Sequence, residues 1–173
     1  MLKGKTVGLR AIEESDLPQL LAWRNQPEYR QYFREFHELS STNQRGWYES
    51  RVLRDPNTIM FAIVRLADGK LLGACGLCYI DWVNRHADFS IYIGEGGVYI
   101  DDTYAIEAAE LMMVYGRDEL GLHRYWSEIY DIDEKKKIMF DRLGFALEGR
   151  QKDSHWTHGG WHDSLYYGFV NDN

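Results

Sequence analysis

The chain has only two cysteines among its 173 residues, Cys75 and Cys78. Two cysteines cannot form the disulfide framework on which small secreted domains depend, so we expect a reducing, cytoplasmic location. The first ten residues contain no apolar core of the kind that a secretory signal needs. No hydrophobic run approaches the length that spans a bilayer, and we therefore expect no membrane partner.

An excess of positive charge is also missing. The chain has 20 Lys and Arg residues against 27 Asp and Glu residues, which gives a net charge of −7. This balance argues against a direct nucleic-acid surface and favours a cationic substrate or partner. The sequence contains no internal repeat, low-complexity tract or linker. At this length it predicts a single domain over residues 1–173 with one substantial core.

The most informative stretch of the sequence is 87–121, which predicts a strand, a loop and a helix. Phe89, Ile91 and Ile93 alternate with polar residues, which indicates a strand. A glycine-containing loop follows, and apolar residues then recur at three- and four-residue steps, which indicates an amphipathic helix. A strand, a loop and a helix N-terminus in this order often bind a phosphorylated cofactor, because unpaired N–H groups and the helix dipole face the ligand.

Similar signals predict the other elements. Strands are expected at 6–11, 58–66, 71–80, 123–130 and 145–147, with a two-stranded hairpin over 151–170. Helices are expected from Ser15 through Trp23, at 28–36, at 42–53 after a cap at Ser40 or Ser41, and at 133–142. This order indicates a mixed α/β (α+β) sheet protein that is mostly antiparallel in its first half.

Several short sequence motifs, in this order, resemble those of the GNAT superfamily of N-acetyltransferases, especially the type that acetylates ribosomal-protein N-termini. They are Leu9-Arg10, Tyr104-Ala105-Ile106-Glu107-Ala108, Gly121-Leu122-His123-Arg124, Leu143-Gly144-Phe145 and the closing run 161–168. The resemblance covers about residues 6–170. It implies a central, mostly antiparallel sheet that is splayed at the cofactor site, with helices on both faces. It also implies that acetyl-coenzyme A donates its acetyl group directly to an amine, and it allows a homodimer.

The pyrophosphate-binding motif of the family is degenerate in this chain. Its basic or amide residue and its two small residues correspond to Val98, Asp101 and Thr103. Asp101 or Asp102 can instead cap the helix and occupy its N–H donors, or the cofactor can still bind the amides at the helix start. The cofactor-binding residues that the resemblance implies are Ile91, Tyr92, Ile93, Asp102, Thr103, Tyr104, Ala105, Asp133, Lys136 and Phe140.

The resemblance also assigns the reacting groups. Phe140 stands where many relatives have a Tyr that protonates the leaving thiolate, so the proton must come from Tyr130, Tyr104 or water. Asp88 and Ser90 are the candidates for the base, and Asp88 is otherwise an edge carboxylate paired with Arg85 or His86. The expected catalytic residues are Asp88, Ser90 and Tyr130. The expected substrate-binding residues are Glu13, Tyr32, Phe33 and His155.

The function expected from the resemblance is N-acetylation of a primary amine. A protein N-terminus, an amino sugar, an aminoglycoside and a polyamine all remain open as acceptors. The alternative is a non-catalytic GNAT-fold module with weak or lost affinity for acetyl-coenzyme A. The spacing of Cys75 and Cys78 places them on opposite faces of a strand, and the histidines near residue 158 straddle a turn, so we expect no metal.

Overall fold

The computed structural model describes residues 1–171 of the chain. These residues form eight strands and five α-helices, with short 3₁₀ and π turns between some of them. In chain order the elements are β1 (Leu2–Lys3), β2 (Val7–Ala11), α1 (Leu17–Arg24), α2 (Pro27–Arg30), α3 (Ser41–Trp47), β3 (Ile59–Arg65), β4 (Leu71–Asp81), β5 (His86–Ile93), α4 (Tyr104–Asp118), β6 (Arg124–Tyr130), α5 (Glu134–Leu143), β7 (Ala146–Thr157) and β8 (Gly160–Val170).

All eight strands belong to one sheet, in the order β1-β2-β3-β4-β5-β6-β8-β7. Neighbouring strands are antiparallel except β5 and β6, which are parallel. The pairing of β5 with β6 begins at His86 with Arg124 and ends at Asp88 with Trp126. Beyond Asp88 the two strands have no paired residues, so the sheet opens into a slot. The predicted mixed, mostly antiparallel and splayed sheet is confirmed.

The side chains of β5 alternate between two environments because successive residues of a strand face opposite sides. Asp88, Ser90 and Tyr92 face a cavity. Ile91, on the other face, is fully buried in the hydrophobic core. Phe89 packs edge-on against aromatic rings of β6 and α5. The strand therefore separates the core from the cavity.

Helix α4 lies close to the sheet because its inner face consists of small residues. Ala105, Ala108 and Ala109 are all fully buried there. Near the end of the helix, a Cβ added to Gly116 would lie 2.6 Å from the hydroxyl oxygen of Tyr125. The glycine is therefore needed for this close approach. The packing fixes the N-terminus of α4 near the end of β5.

Two capping predictions are confirmed by the local geometry. Ser40 caps α3, and its hydroxyl accepts from the backbone N–H of Asn43 while the Asn43 side chain accepts from the Ser40 N–H. Gly144 ends α5 with φ 82°, a left-handed conformation that favours glycine. Gly69, with φ 72°, lies in the predicted turn between β3 and β4.

Three predicted elements differ from the structure. The helix predicted at 28–36 is only the single turn α2, because its aromatic residues pack around Tyr99 instead of continuing a helical face. The helix predicted at 42–53 is α3 followed by a π turn at Tyr48–Val52. The separate strands predicted at 145–147 and in the first half of 151–170 are one strand, β7, interrupted by two register shifts. Strand β1 was not foreseen.

No helix within residues 1–171 combines the length and the hydropathy that crossing a bilayer requires.

Candidate active site

A cavity of about 320 Å³ lies where β5 and β6 separate. Its lining includes Asp88 and Ser90 from β5, Tyr130 from the end of β6 and Lys136 from α5. These four residues were all assigned to catalysis or cofactor binding from the sequence. The topology brings them together because the two strands diverge on either side of the cavity and α5 follows β6 directly.

Asp88 is the last residue of β5 that pairs with β6, and its carboxyl group faces the cavity. The residue is only 7% exposed. Burial raises the pKa of Asp88 to about 6, although the charges of Arg34 and Lys136 oppose this shift. A carboxylate with a pKa in this range is ionised at neutral pH and can still accept a proton, as a general base requires.

Arg34 and Glu128 complete the charge network around Asp88. The guanidinium Nη2 of Arg34 lies 3.6 Å from Asp88 Oδ2 and 3.2 Å from Glu128 Oε2. Neither residue was predicted from the sequence. Glu128 could have been found, since it lies two residues from both Trp126 and Tyr130 on β6 and so shares the face of Tyr130. Arg34 lies in the irregular segment after α2, where no periodicity gives a signal.

Tyr130 is 7% exposed and stacks almost parallel on His155, with the ring centroids 3.4 Å apart. His155 Nε2 lies 3.2 Å from the carbonyl oxygen of Gln31. Burial lowers the pKa of His155 and raises that of Tyr130. His155 therefore supports the ring that lines the cavity. His155 itself is not among the residues that line the cavity, and its part in substrate binding stays a prediction.

The other residues predicted to bind substrate divide into two groups. Tyr32 and Phe33 line the cavity, and both pack against Tyr99. Glu13 does not line it. Glu13 is exposed and precedes the 3₁₀ turn Glu14–Asp16, where its backbone N–H donates to Asp16 Oδ2 at 2.9 Å.

At the N-terminus of α4, Asp101 occupies the amides that the resemblance assigns to a pyrophosphate. Its Oδ2 accepts from the N–H groups of Thr103 at 2.9 Å and Tyr104 at 2.8 Å, and its Oδ1 accepts from Ala105 at 2.8 Å. The expected capping role is therefore confirmed for Asp101. Asp102 is exposed, and its carbonyl oxygen accepts from Arg142 at 3.3 Å.

Tyr99 crosses from the β5 side of the slot to the β6 side. Its carbonyl oxygen accepts from the N–H of Ile93 at the end of β5, at 2.8 Å. Its hydroxyl donates to Asp133 Oδ2 at 3.3 Å, and Asp133 is the N-cap of α5. The ring lies 5.3 Å from the ammonium of Lys136. Burial raises the pKa of Tyr99 well above its usual value, so the residue is a neutral donor at this end of the slot.

The remaining predicted cofactor residues lie around these groups. The side chains of Ile91, Ile93 and Phe140 are buried in the core, so only the backbone of the two isoleucines is available to a ligand in the slot. Phe140 packs against Phe145 and Tyr167 and does not line the cavity. The side chain of Tyr92 does line it, and burial raises the pKa of Tyr92 to about 12.

The two cysteines lie on β4 as free thiols. Cys75 is fully buried, and Cys78 lies at the edge of the cavity, where burial raises the pKa of its thiol to about 12. A thiol with so high a pKa is a poor nucleophile at neutral pH. Within residues 1–171, no group of three His, Cys, Asp or Glu side chains is placed to hold a metal ion.

Residues 6–146 match the family model of the acetyltransferase (GNAT) domain. The chain belongs to the GNAT acetyltransferase family. It is therefore an N-acetyltransferase, with acetyl-coenzyme A as the acetyl donor. The membership favours the enzyme over the non-catalytic binding module that the degenerate motif left open.

Individual GNAT relatives agree with this assignment. The chain is 27% identical over 170 residues to spermidine N(1)-acetyltransferase of Escherichia coli (strain K12), covering 95% of this chain and 86% of that protein. It is 30% identical over 105 residues to YdaF of Bacillus subtilis (strain 168), named provisionally as a ribosomal N-acetyltransferase, covering 61% of this chain and 56% of that protein. The spermidine N-acetyltransferase of Vibrio cholerae, solved with coenzyme A and spermine, superposes with a TM-score of 0.87 at 21% identity over 95% of both chains.

The residues of this GNAT chain fit acetyl-coenzyme A unequally at the two ends of the slot. The opening beyond Asp88 leaves backbone groups of β5 without a partner on β6, which suits the amide-bearing arm of the donor. At the phosphate end, the amides of α4 are already bonded to Asp101. A pyrophosphate that binds these amides must therefore replace a carboxylate of the chain itself.

Proposed function

We propose that this chain acetylates a small primary amine whose ammonium group binds beside Asp88, and that Asp88 accepts the proton which the amine must lose. The observation that carries this proposal is the buried carboxylate of Asp88 at the point where β5 and β6 separate. An ammonium ion cannot attack a thioester until it has been deprotonated. Asp88 is the last residue of β5 that pairs with β6, so its carboxylate lies where the slot begins.

The hydroxyl groups of Ser90 and Tyr130 support the same role. Ser90 is two residues beyond Asp88 on the same face of β5, and Tyr130 lies across the cavity. Both can hold a water molecule between the ammonium and Asp88. General base catalysis of this kind contributes about 10²–10⁴ to the rate.

The charges of the cavity favour an amine with a single positive charge. The lining contains four basic side chains, Arg24, Arg34, Arg51 and Lys136, and three acidic ones. This local balance is opposite in sign to the net charge of −7 for the whole chain. A second or third ammonium group of the acceptor would meet the arginines, whereas a neutral or carboxylate-bearing remainder would not be repelled.

A polyamine is the second candidate acceptor. Two relatives that cover most of the chain are named for spermidine acetylation, and Asp88 and Glu128 could each bind one ammonium group if Arg34 moved away. A protein N-terminus remains a further candidate because one relative carries a ribosomal name. The reducing cytoplasm remains the prediction for location, on the cysteine count, and the homodimer remains a prediction as well.

A series of four-carbon acceptors tests the charge argument. 4-Aminobutanoate, butylamine and 1,4-diaminobutane differ in the charge at the far end and little in length, and spermidine extends the series. We expect kcat/KM with acetyl-coenzyme A to fall in that order. A kcat/KM that rises with the number of ammonium groups would instead support the polyamine.

The base is tested with Asp88→Asn. We expect kcat/KM to fall about 10²- to 10⁴-fold with the best acceptor. The wild-type value should fall as the pH drops below about 6, where Asp88 becomes protonated. Asp118→Asn is the matched control, since Asp118 is exposed at the end of α4. An Asp88→Asn enzyme with wild-type activity and an unchanged acid limb would exclude Asp88 as the base.

A further inference from the structure

Lys136 is a buried cation that faces the cavity. It lies in the first turn of α5 and is only 8% exposed. Its neighbour Lys137 donates to the carbonyl oxygen of Asp131 at 2.5 Å and to Glu134 at 2.6 Å. Within residues 1–171, the ammonium of Lys136 has no such hydrogen bond or ion pair, and its contact is with the face of the Tyr99 ring. Lysine is almost never buried in this way without a partner.

The charged groups around Lys136 come from several elements. Asp133 precedes it at the N-cap of α5, Asp88 faces it from β5, and Arg24 and Arg34 face it from the α1–α3 region. Burial lowers the pKa of Lys136, the two aspartates oppose this shift, and the two arginines add to it. An amine whose pKa is lowered toward neutrality gives up its proton more readily than an exposed lysine.

The position of Lys136 relative to Phe140 suggests what this proton is for. Residues four apart on a helix lie on the same face, so Lys136 is one turn before Phe140. Phe140 has no proton to give, and it is fully buried in the core. Lys136, on the same face, reaches the cavity instead. The cavity thus has a carboxylate on one side and an ammonium on the other.

We propose that Lys136 is the proton donor for the thiolate that is released when the thioester C–S bond breaks. The proposal rests on the proposed function. The nitrogen of the acceptor forms the new C–N bond, and the electron pair of the C–S bond leaves with sulfur. The acceptor ammonium loses two protons in becoming an amide. Asp88 takes one of them and later releases it to solvent. The other restores Lys136 after Lys136 has protonated the sulfur.

The test compares leaving groups, because a donor whose thiol is more acidic needs no proton in order to leave. With acetyl-coenzyme A, we expect Lys136→Met to lower kcat/KM about a hundredfold. With the acetyl thioester of 4-nitrothiophenol the same substitution should change kcat/KM less than about threefold. Lys135→Met is the matched control, since Lys135 is exposed on the same helix and should behave as wild type with both donors. An equal loss with both donors would overturn the proposal.

Lys136→Arg separates proton donation from charge alone. Arginine keeps the positive charge but does not release a proton at neutral pH. We expect its loss with acetyl-coenzyme A to approach that of Lys136→Met. Wild-type activity in Lys136→Arg would show that only the charge matters and would overturn the proton-donor role. Thermal melting of each variant identifies any that fails to fold.

A direct titration provides a readout that does not depend on turnover. The side-chain carbon next to the ammonium, labelled with ¹³C in lysine, reports protonation by NMR, and Lys136→Arg assigns its signal. We expect the pKa of Lys136 to lie below the usual value for lysine. A Lys136 that titrates with the usual lysine pKa overturns the proposal even if no tested amine is acetylated. If Asp88→Asn keeps full activity while the leaving-group effect of Lys136→Met persists, the assignment of the base fails and that of Lys136 stands.

Discussion

The N-termini of α4 and α5 both lie at the opening between β5 and β6, and each is capped by an aspartate. At α4, Asp101 is half-buried and accepts from three backbone amides. At α5, Asp133 is 2% exposed, accepts from the N–H of Lys136 at 3.1 Å, and also accepts the hydroxyl of Tyr99.

The difference between the two caps separates the phosphate end of the slot from the reacting end. Asp101 is still reached by solvent, so another anion can replace it at the helix N-terminus. Loss of the buried Asp133 would remove one of the two carboxylates that oppose the burial penalty of the Lys136 charge. The phosphate end is therefore adaptable, and the reacting end is fixed by its own charges.

Removal of the buried cap should have the largest effect on stability. We expect Asp133→Ala to lower the free energy of unfolding by about 2–4 kcal/mol, because both a helix cap and a carboxylate that stabilises the charge of Lys136 are lost. Urea denaturation at pH 7 measures this change. In the double variant Asp133→Ala with Lys136→Met, the loss should be smaller. Equal losses for Asp133→Ala and Asp101→Ala would contradict the distinction between the two ends.

Ionisation of Asp88 should lower the free energy of unfolding relative to the protonated form. Its folded pKa, about 6, is above the usual value, so the folded state binds the proton more tightly than the unfolded state. Stability from this group is present below pH 4 and is lost as the pH rises through about 6. We expect Asp88→Asn to raise the free energy of unfolding by about 1–3 kcal/mol at pH 8, with little change at pH 4. Urea denaturation at the two pH values measures it, and a gain at pH 4 equal to that at pH 8 would contradict the linkage.

Removal of the half-buried cap, Asp101, should have the smallest effect on stability and should strengthen the binding of coenzyme A. We expect Asp101→Ala to lower the free energy of unfolding by about 1 kcal/mol. Coenzyme A should bind about three- to tenfold more tightly, because the amides are released and a negative charge is lost. Isothermal titration calorimetry measures the affinity. Asp118→Ala is the control, since Asp118 is exposed at the other end of the same helix and its removal should leave both quantities nearly unchanged. Weaker binding in Asp101→Ala would mean that the cap orders the binding site.

The sequence predicted the features that depend on local periodicity. The alternation of Phe89, Ile91 and Ile93 with polar residues correctly predicted a strand, β5. A cap at the start of α4 was expected at Asp101 or Asp102 as one alternative, and the structure has it at Asp101. These features need only a few neighbouring residues, so the chain encodes them locally.

The features that the sequence did not predict depend on contacts between distant segments. Arg34 reaches Glu128 across 94 positions of the chain, and Tyr99 reaches Asp133 across 34. The cavity position of Lys136 could not be predicted either, because three consecutive lysines give no sign of which one the helix buries. In the structure the helical turn directs the middle one inward.

The brief pairing of β5 with β6 also has a mechanical consequence. Within the group β1–β5 and within the group β6–β8, each strand is hydrogen-bonded to its neighbour, but the pairing between the two groups stops at Asp88. The sheet is therefore divided into a five-stranded part and a three-stranded part, which are joined at one end only. An extended ligand that hydrogen-bonds to the inner edge of β5 fills the place of a missing strand. A donor bound there would therefore join the two groups of strands as well as supply the acetyl group.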